Sequence, residues 1–74
     1  MELKEVLSKN LQSYRKRNGV SQEEVSLDSA ISLKSYSRIE HAKVHTSLKI
    51  LDKISQGTGL SVVELLTEGE EVEM

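Results

Sequence analysis

Three six-residue strings in this chain obey one rule: VSQEEV (residues 20–25), ISLKSY (31–36) and LSVVEL (60–65). Each sets an apolar residue before a serine and another apolar residue four positions after that serine. A serine so placed is a helix N-cap. Its hydroxyl accepts a hydrogen bond from an amide that the first helical turn leaves unpaired, and the flanking apolar pair closes over the turn as a staple. Glu24 and Glu64, three residues beyond Ser21 and Ser61, complete reciprocal capping boxes. The strings therefore predict helices that begin near residues 22, 33 and 62.

Two more helices follow from periodicity. Leu3, Val6, Leu7, Leu11 and Tyr14 recur at spacings of three and four, one apolar face of a first helix that leaves through Asn18-Gly19. Thr46 or Ser47 can cap another, carrying Leu48, Leu51 and Ile54 and stopping at Gly57. There is no Pro to break these elements. The expected fold is all-α, with five helices in a single compact domain, because a chain of 74 residues cannot divide its core. That domain is expected to span residues 1–67, with 68–74 a disordered, solubilising acidic tail.

Composition narrows the chemistry. Without Cys there is neither a disulfide framework nor a thiolate metal site, which suggests an intracellular protein. No apolar run approaches the roughly 20 residues needed to span a bilayer, and MELKEVLSKN has no signal-peptide centre. A soluble, cytoplasmic protein is the expectation. The net charge of −2 conceals an uneven distribution. All ten Lys and Arg lie between Lys4 and Lys53, and residues 1–57 hold seven acids against them, a balance of +3, while Glu64, Glu68, Glu70, Glu71 and Glu73 crowd the last eleven residues. A weakly basic body permits binding to nucleic acid without requiring it.

The second and third helix starts are only eleven residues apart. Two short helices joined by a tight turn cross near a right angle, which lets one of them project from the body. On the projecting helix Tyr36 and Ile39 share one face, and Lys34, Ser37, Arg38 and His41 gather on the other. A basic, hydroxyl-bearing face suits the DNA major groove, where Lys and Arg reach guanine O6 and N7. Leu33, at the margin of the two faces, can join the core or touch a thymine methyl.

From the Ser21-Gln22-Glu23-Glu24 start through Ser32, Arg38-Ile39-Glu40 and the closing Leu60-Ser61-Val62-Val63-Glu64-Leu65-Leu66, the chain resembles the Cro/C1-type, lambda repressor-like helix-turn-helix family across residues 7–66. The resemblance implies a DNA-binding transcriptional regulator, encoded by a bacterium or phage, that docks its recognition helix in the major groove. By the same resemblance Leu33, Lys34, Ser37 and Arg38 are the base-contacting residues. Arg15, Ser21, Gln22, Ser32, Ser35, Lys43, His45 and Thr46 are the phosphate-contacting ones, and Arg15 and Glu40 form a structural pair. Ala30 and Ala42 stand where the family usually has Gly.

One short helix reads few base pairs, so a homodimer on a palindromic operator, acting as a repressor, is expected, with Leu3, Val6, Val62 and Val63 at the two-fold interface. An antitoxin-like or anti-repressor protein-interaction module is the alternative, against which the basic face of the third helix argues. The amphipathic first helix would allow a membrane-surface role, but its apolar face is better used as core and Trp and Phe are absent. His41 and His45 have ligand spacing but no third ligand, and no Ser has a base and a shaped pocket, so no metal, cofactor, small-molecule ligand or enzymatic activity is expected.

Overall fold

In a computed structural model that describes residues 1–69, the last four of the five predicted helices each start at a serine hydroxyl. Ser21, Ser32, Ser47 and Ser61 accept from the amides of Glu24, Ser35, Ile50 and Glu64 at 3.1, 3.0, 3.2 and 3.0 Å. Ser47, not Thr46, takes the fourth cap. Reciprocal boxes form at Ser21/Glu24 and Ser61/Glu64, and a third, absent from the sequence reading, at Glu2/Glu5. The elements are α1 (Leu3–Asn18), α2 (Gln22–Asp28), α3 (Leu33–Glu40), α4 (Leu48–Thr58) and α5 (Val62–Leu66), with no strand among the described residues.

The apolar residue four positions after each cap is the one that builds the core. Val25, Tyr36, Leu51 and Leu65 are all buried, joined by Leu7, Leu11, Ile39 and Ile54. The staple residues Val20, Ile31 and Leu60 pack half-buried against them. Each cap thus ties a local helix start to the shared core. Helix α1 packs on α3 and α5, α2 on α3 and α4, and α4 on α5. Leu3 departs from the expected apolar face of α1: it is 61% exposed, although Val6 in the same turn is buried.

The helix exits share a geometry as well. Val20, Ile31 and Lys43 donate their amides back to the carbonyls of Arg15, Ser26 and Arg38, closing α1, α2 and α3 in the six-to-one pattern that needs a left-handed residue just before the donor. Those residues are Gly19, Ala30 and Ala42, at φ of 64°, 58° and 57°. An L-residue pays about 1 kcal/mol in that region, part of which is offset by its stiffer unfolded chain. The double variant A30G/A42G is therefore expected to raise Tm by about 5 °C, which a thermal melt checks. An unchanged or lowered Tm would contradict this account of the turns.

Gly57 is not the stop expected for α4, which continues to Thr58 and exits through left-handed Gly59. Its purpose is closeness. A Cβ at Gly57 would stand 2.3 Å from Ser29 Oγ and 2.7 Å from Ser29 N, so only Gly lets α4 press against the end of α2. Among the described residues no helix is long and apolar enough to cross a membrane. The expected domain boundary falls just beyond α5, and residues 70–74 of the acidic tail lie outside the described residues.

Candidate nucleic-acid interface

Helix α3 is short and two-faced. Its inner face carries Tyr36, Ile39 and Glu40, all nearly inaccessible. Lys34, Ser35 and Arg38 are exposed, Ser37 is half-buried, and His41 follows at the C-cap with its ring Nδ1 2.8 Å from the Ser37 carbonyl. Leu33 is 46% exposed, so it adjoins this outer face and stays outside the core.

The inner face holds a charge. Glu40 is 2% exposed, and its carboxylate takes donors from all three of the first helices. Oε1 accepts from Arg15 Nη2 at 2.8 Å and Gln22 Nε2 at 2.7 Å, while Oε2 accepts from Arg15 Nε at 2.8 Å and the Tyr36 hydroxyl at 2.6 Å. Its backbone carbonyl accepts from the Ser8 hydroxyl and from Gln12 Nε2. Burial pushes the Glu40 carboxyl up, but the hydrogen bonds from Arg15, Tyr36 and Gln22 outweigh it and hold the group below its ordinary value. The Tyr36 phenol is pushed strongly up, first by burial and then by the bond to Glu40, so it remains a donor. Hydrogen bonding to Glu40 likewise raises Arg15.

The Arg15 guanidinium is largely occupied, with Nε and Nη2 on Glu40 and Nη1 3.3 Å from the Val20 carbonyl. Its geometry is that of a brace between α1, the α1–α2 turn and α3. Gln22, first in α2, is steered by Glu40 yet keeps its amide oxygen and its second N–H hydrogen. Around these two, Gln12, Lys16 and His41 complete a polar depression open to solvent. Sequence reasoning placed His41 on the outer face but left both it and Lys16 out of the site; adjacency to Arg15 and the four-residue step from Gln12 were the available signals for Lys16.

The remaining candidates divide. Ser21 and Ser32 are exposed caps whose hydroxyls accept one amide each and keep the O–H hydrogen for an outside acceptor. Lys43 and His45 are exposed on the α3–α4 connection. Thr46 is half-buried, and its Oγ1 is shielded from solvent with no hydrogen-bond partner among the described residues. At the expected two-fold interface Leu3 and Val63 are 61% and 74% exposed and Val62 is half-buried. Val6, at 3%, is already covered within the monomer. No group of three or more metal-ligating side chains occurs among the described residues.

Comparison with known proteins places this geometry. A family model described as helix-turn-helix matches residues 11–65, which include all of α2 and α3. The crystal structure of a hypothetical transcription factor from Neisseria superposes with a TM-score of 0.84 at 25% identity, covering 90% of this chain and 77% of that one. No curated protein is significantly similar in sequence. With a serine-capped α2, a tight left-handed turn at Ala30 and a two-faced α3 held from behind by Glu40, the chain belongs to the Cro/C1-type helix-turn-helix family.

Proposed function

We propose that this protein is a sequence-specific DNA-binding transcriptional regulator, a repressor, that sets the outer face of α3 into the major groove. Family membership and the likeness to a transcription factor support a DNA-binding regulator. The observation that carries the finer reading is the division of α3, with Lys34 and Arg38 outward and Glu40 locked inward by Arg15, Gln22 and Tyr36. A helix braced on three sides presents its outer side chains at a fixed angle, as base readout requires. Lys34 and Arg38 reach guanine edges, Ser37 a base edge and Leu33 a thymine methyl. Gln22, Ser21, Ser32, Ser35, Lys43 and His45 hold the backbone on either side, with Arg15 chiefly as the brace.

The regulator acts as a homodimer, α1 and α5 of each copy meeting through Leu3, Val62 and Val63. Exposed apolar side chains on two helices that pack together support this surface. Selection of bound sequences from a random DNA pool tests the reading. Enrichment of a palindrome whose half-site centres lie about 10 base pairs apart, or a multiple of that, is expected. A pool that never converges would refute sequence-specific binding, and a lone asymmetric site would refute the dimer.

A further inference from the structure

A second basic feature lies outside the recognition helix. Between α1 and the α5 end of the chain runs an open groove of about 1130 Å³, beyond the size of most small-molecule sites and suited to an extended segment of chain. Its α1 wall carries Lys9, Ser13, Lys16 and Arg17. Lys9, Ser13 and Lys16 follow the i, i+4, i+7 rule of a single helix stripe, and Arg17 is one turn beyond Ser13. All three cations are exposed, and none forms an ion pair with a described residue. The opposite wall offers two carboxylates, Glu64 and Glu68, and that of Glu64 is turned to the Ser61 amide at 2.8 Å.

The described chain ends in this groove. Asn10 Nδ2 donates to the carbonyls of Glu64, Leu65 and Thr67 at 3.2, 2.7 and 2.9 Å, which pins the exit of α5 to the middle of α1. Gly69 lies against the same side chain, its would-be Cβ 3.3 Å from Asn10 Oδ1. The next residues are Glu70, Glu71, Val72, Glu73 and Met74. Five extended residues reach about 17 Å. From Asn10 to Arg17 along α1 is only about 10 Å at 1.5 Å per residue. The three carboxylates that follow Gly69 in the sequence are within chain reach of a stripe of three cations that form no ion pair with a described residue.

We propose that Glu70, Glu71 and Glu73 occupy this groove in cis, pairing with Lys9, Lys16 and Arg17, and that the docked segment competes with DNA phosphate for the stripe. The groove and the recognition surface are continuous, since Gln12 and Lys16 line both it and the polar depression beside Gln22. The competition rests on the DNA-binding reading; the docking does not. Because these are solvent-exposed pairs, each is weak and screened by salt, so the segment is a displaceable occupant that sets a threshold against loosely held DNA.

The chain has no Cys, so V72C carries a single nitroxide label. At low salt, paramagnetic broadening is expected to extend along α1 to the Lys16 and Arg17 amides, and to vanish there in roughly 1 M salt, where the Debye length is about 3 Å, and in K9A/R17A. Broadening that stops at Asn10, or that is the same in both salts, would overturn docking. In the unlabelled protein, E70Q/E71Q/E73Q is expected to tighten DNA binding about fivefold at low salt, but no more than about twofold in the K9A/R17A background. Equal tightening in both backgrounds would assign the tail to long-range repulsion and overturn the proposal. Failure of every variant to bind DNA would refute the proposed function, while the label experiment still decides the docking.

Discussion

Replacing Arg15 with Met is expected to destabilise the protein by about 3 kcal/mol, a large share of what a domain this small possesses. The reason is the partner left behind. Glu40 is 2% exposed, and losing Arg15 removes its only cationic partner among the described residues and two of the four side-chain hydrogen bonds they give it. An uncompensated buried charge costs more than the pair ever contributed. Urea unfolding measures the loss, and pairing R15M with E40Q is expected to recover most of it.

Acid gives a sharper signature, because Arg15 is what chiefly holds the Glu40 carboxyl down. In the native protein the Glu40 carboxyl sits below its ordinary value of 4.5, so the folded state binds fewer protons than the unfolded one. Its stabilisation is full above that ordinary value and disappears as pH falls through the lower, folded one. In R15M the carboxyl loses the largest of the contributions that hold it down and is expected to move up, so acidification is expected to cost that variant less stability than it costs the parent. E40Q should remove this component in either background. An R15M cost below about 1 kcal/mol that does not vary with pH would show that the pair is an ordinary surface bridge.

The second large effect concerns binding. K34A/R38A is expected to weaken binding to the selected operator about 100-fold, since each side chain that reaches a base edge contributes about 1–3 kcal/mol. Losing two cations should also make the salt dependence shallower by one to two units of log–log slope. Both side chains are exposed, so the melting curve should hardly move. Unchanged affinity with an unchanged slope would mean that α3 does not face the DNA.

Helix starts were legible because capping is local. A serine, its apolar neighbour and the residue four positions on lie within one turn, and Ser21, Ser32 and Ser61 needed no knowledge of the rest of the chain. Helix exits were less so. The left-handed turns at Ala30 and Ala42 run against the preference of Ala, and only the family resemblance marked those positions. Gly57 read as a stop because composition cannot show that another helix passes within van der Waals distance. Leu3 fitted the period of α1 but is left exposed, since periodicity does not show how far along a helix its neighbours reach.

At the site, the outer face of α3 followed from 3.6-residue geometry, and the resemblance supplied Arg15 and Glu40. The further donors to Glu40 were invisible, since Ser8, Gln12 and Gln22 reach it from other helices across 32, 28 and 18 residues. Tyr36 is the exception. Four residues before Glu40 on the same helix, its hydroxyl had a partner that spacing alone could have named.

The Glu40 carboxylate also acts as a coincidence detector during assembly. Its four side-chain hydrogen bonds are all made only when donors have arrived from each of α1, α2 and α3, and any arrangement lacking one helix leaves at least one of them unmade. Half-docked forms are penalised, which favours all-or-none folding. It follows that α2 and α3 are not a portable cassette: excised from α1 they lose the cation on which their inner face depends, and the smallest segment that could be grafted elsewhere begins before Ser8.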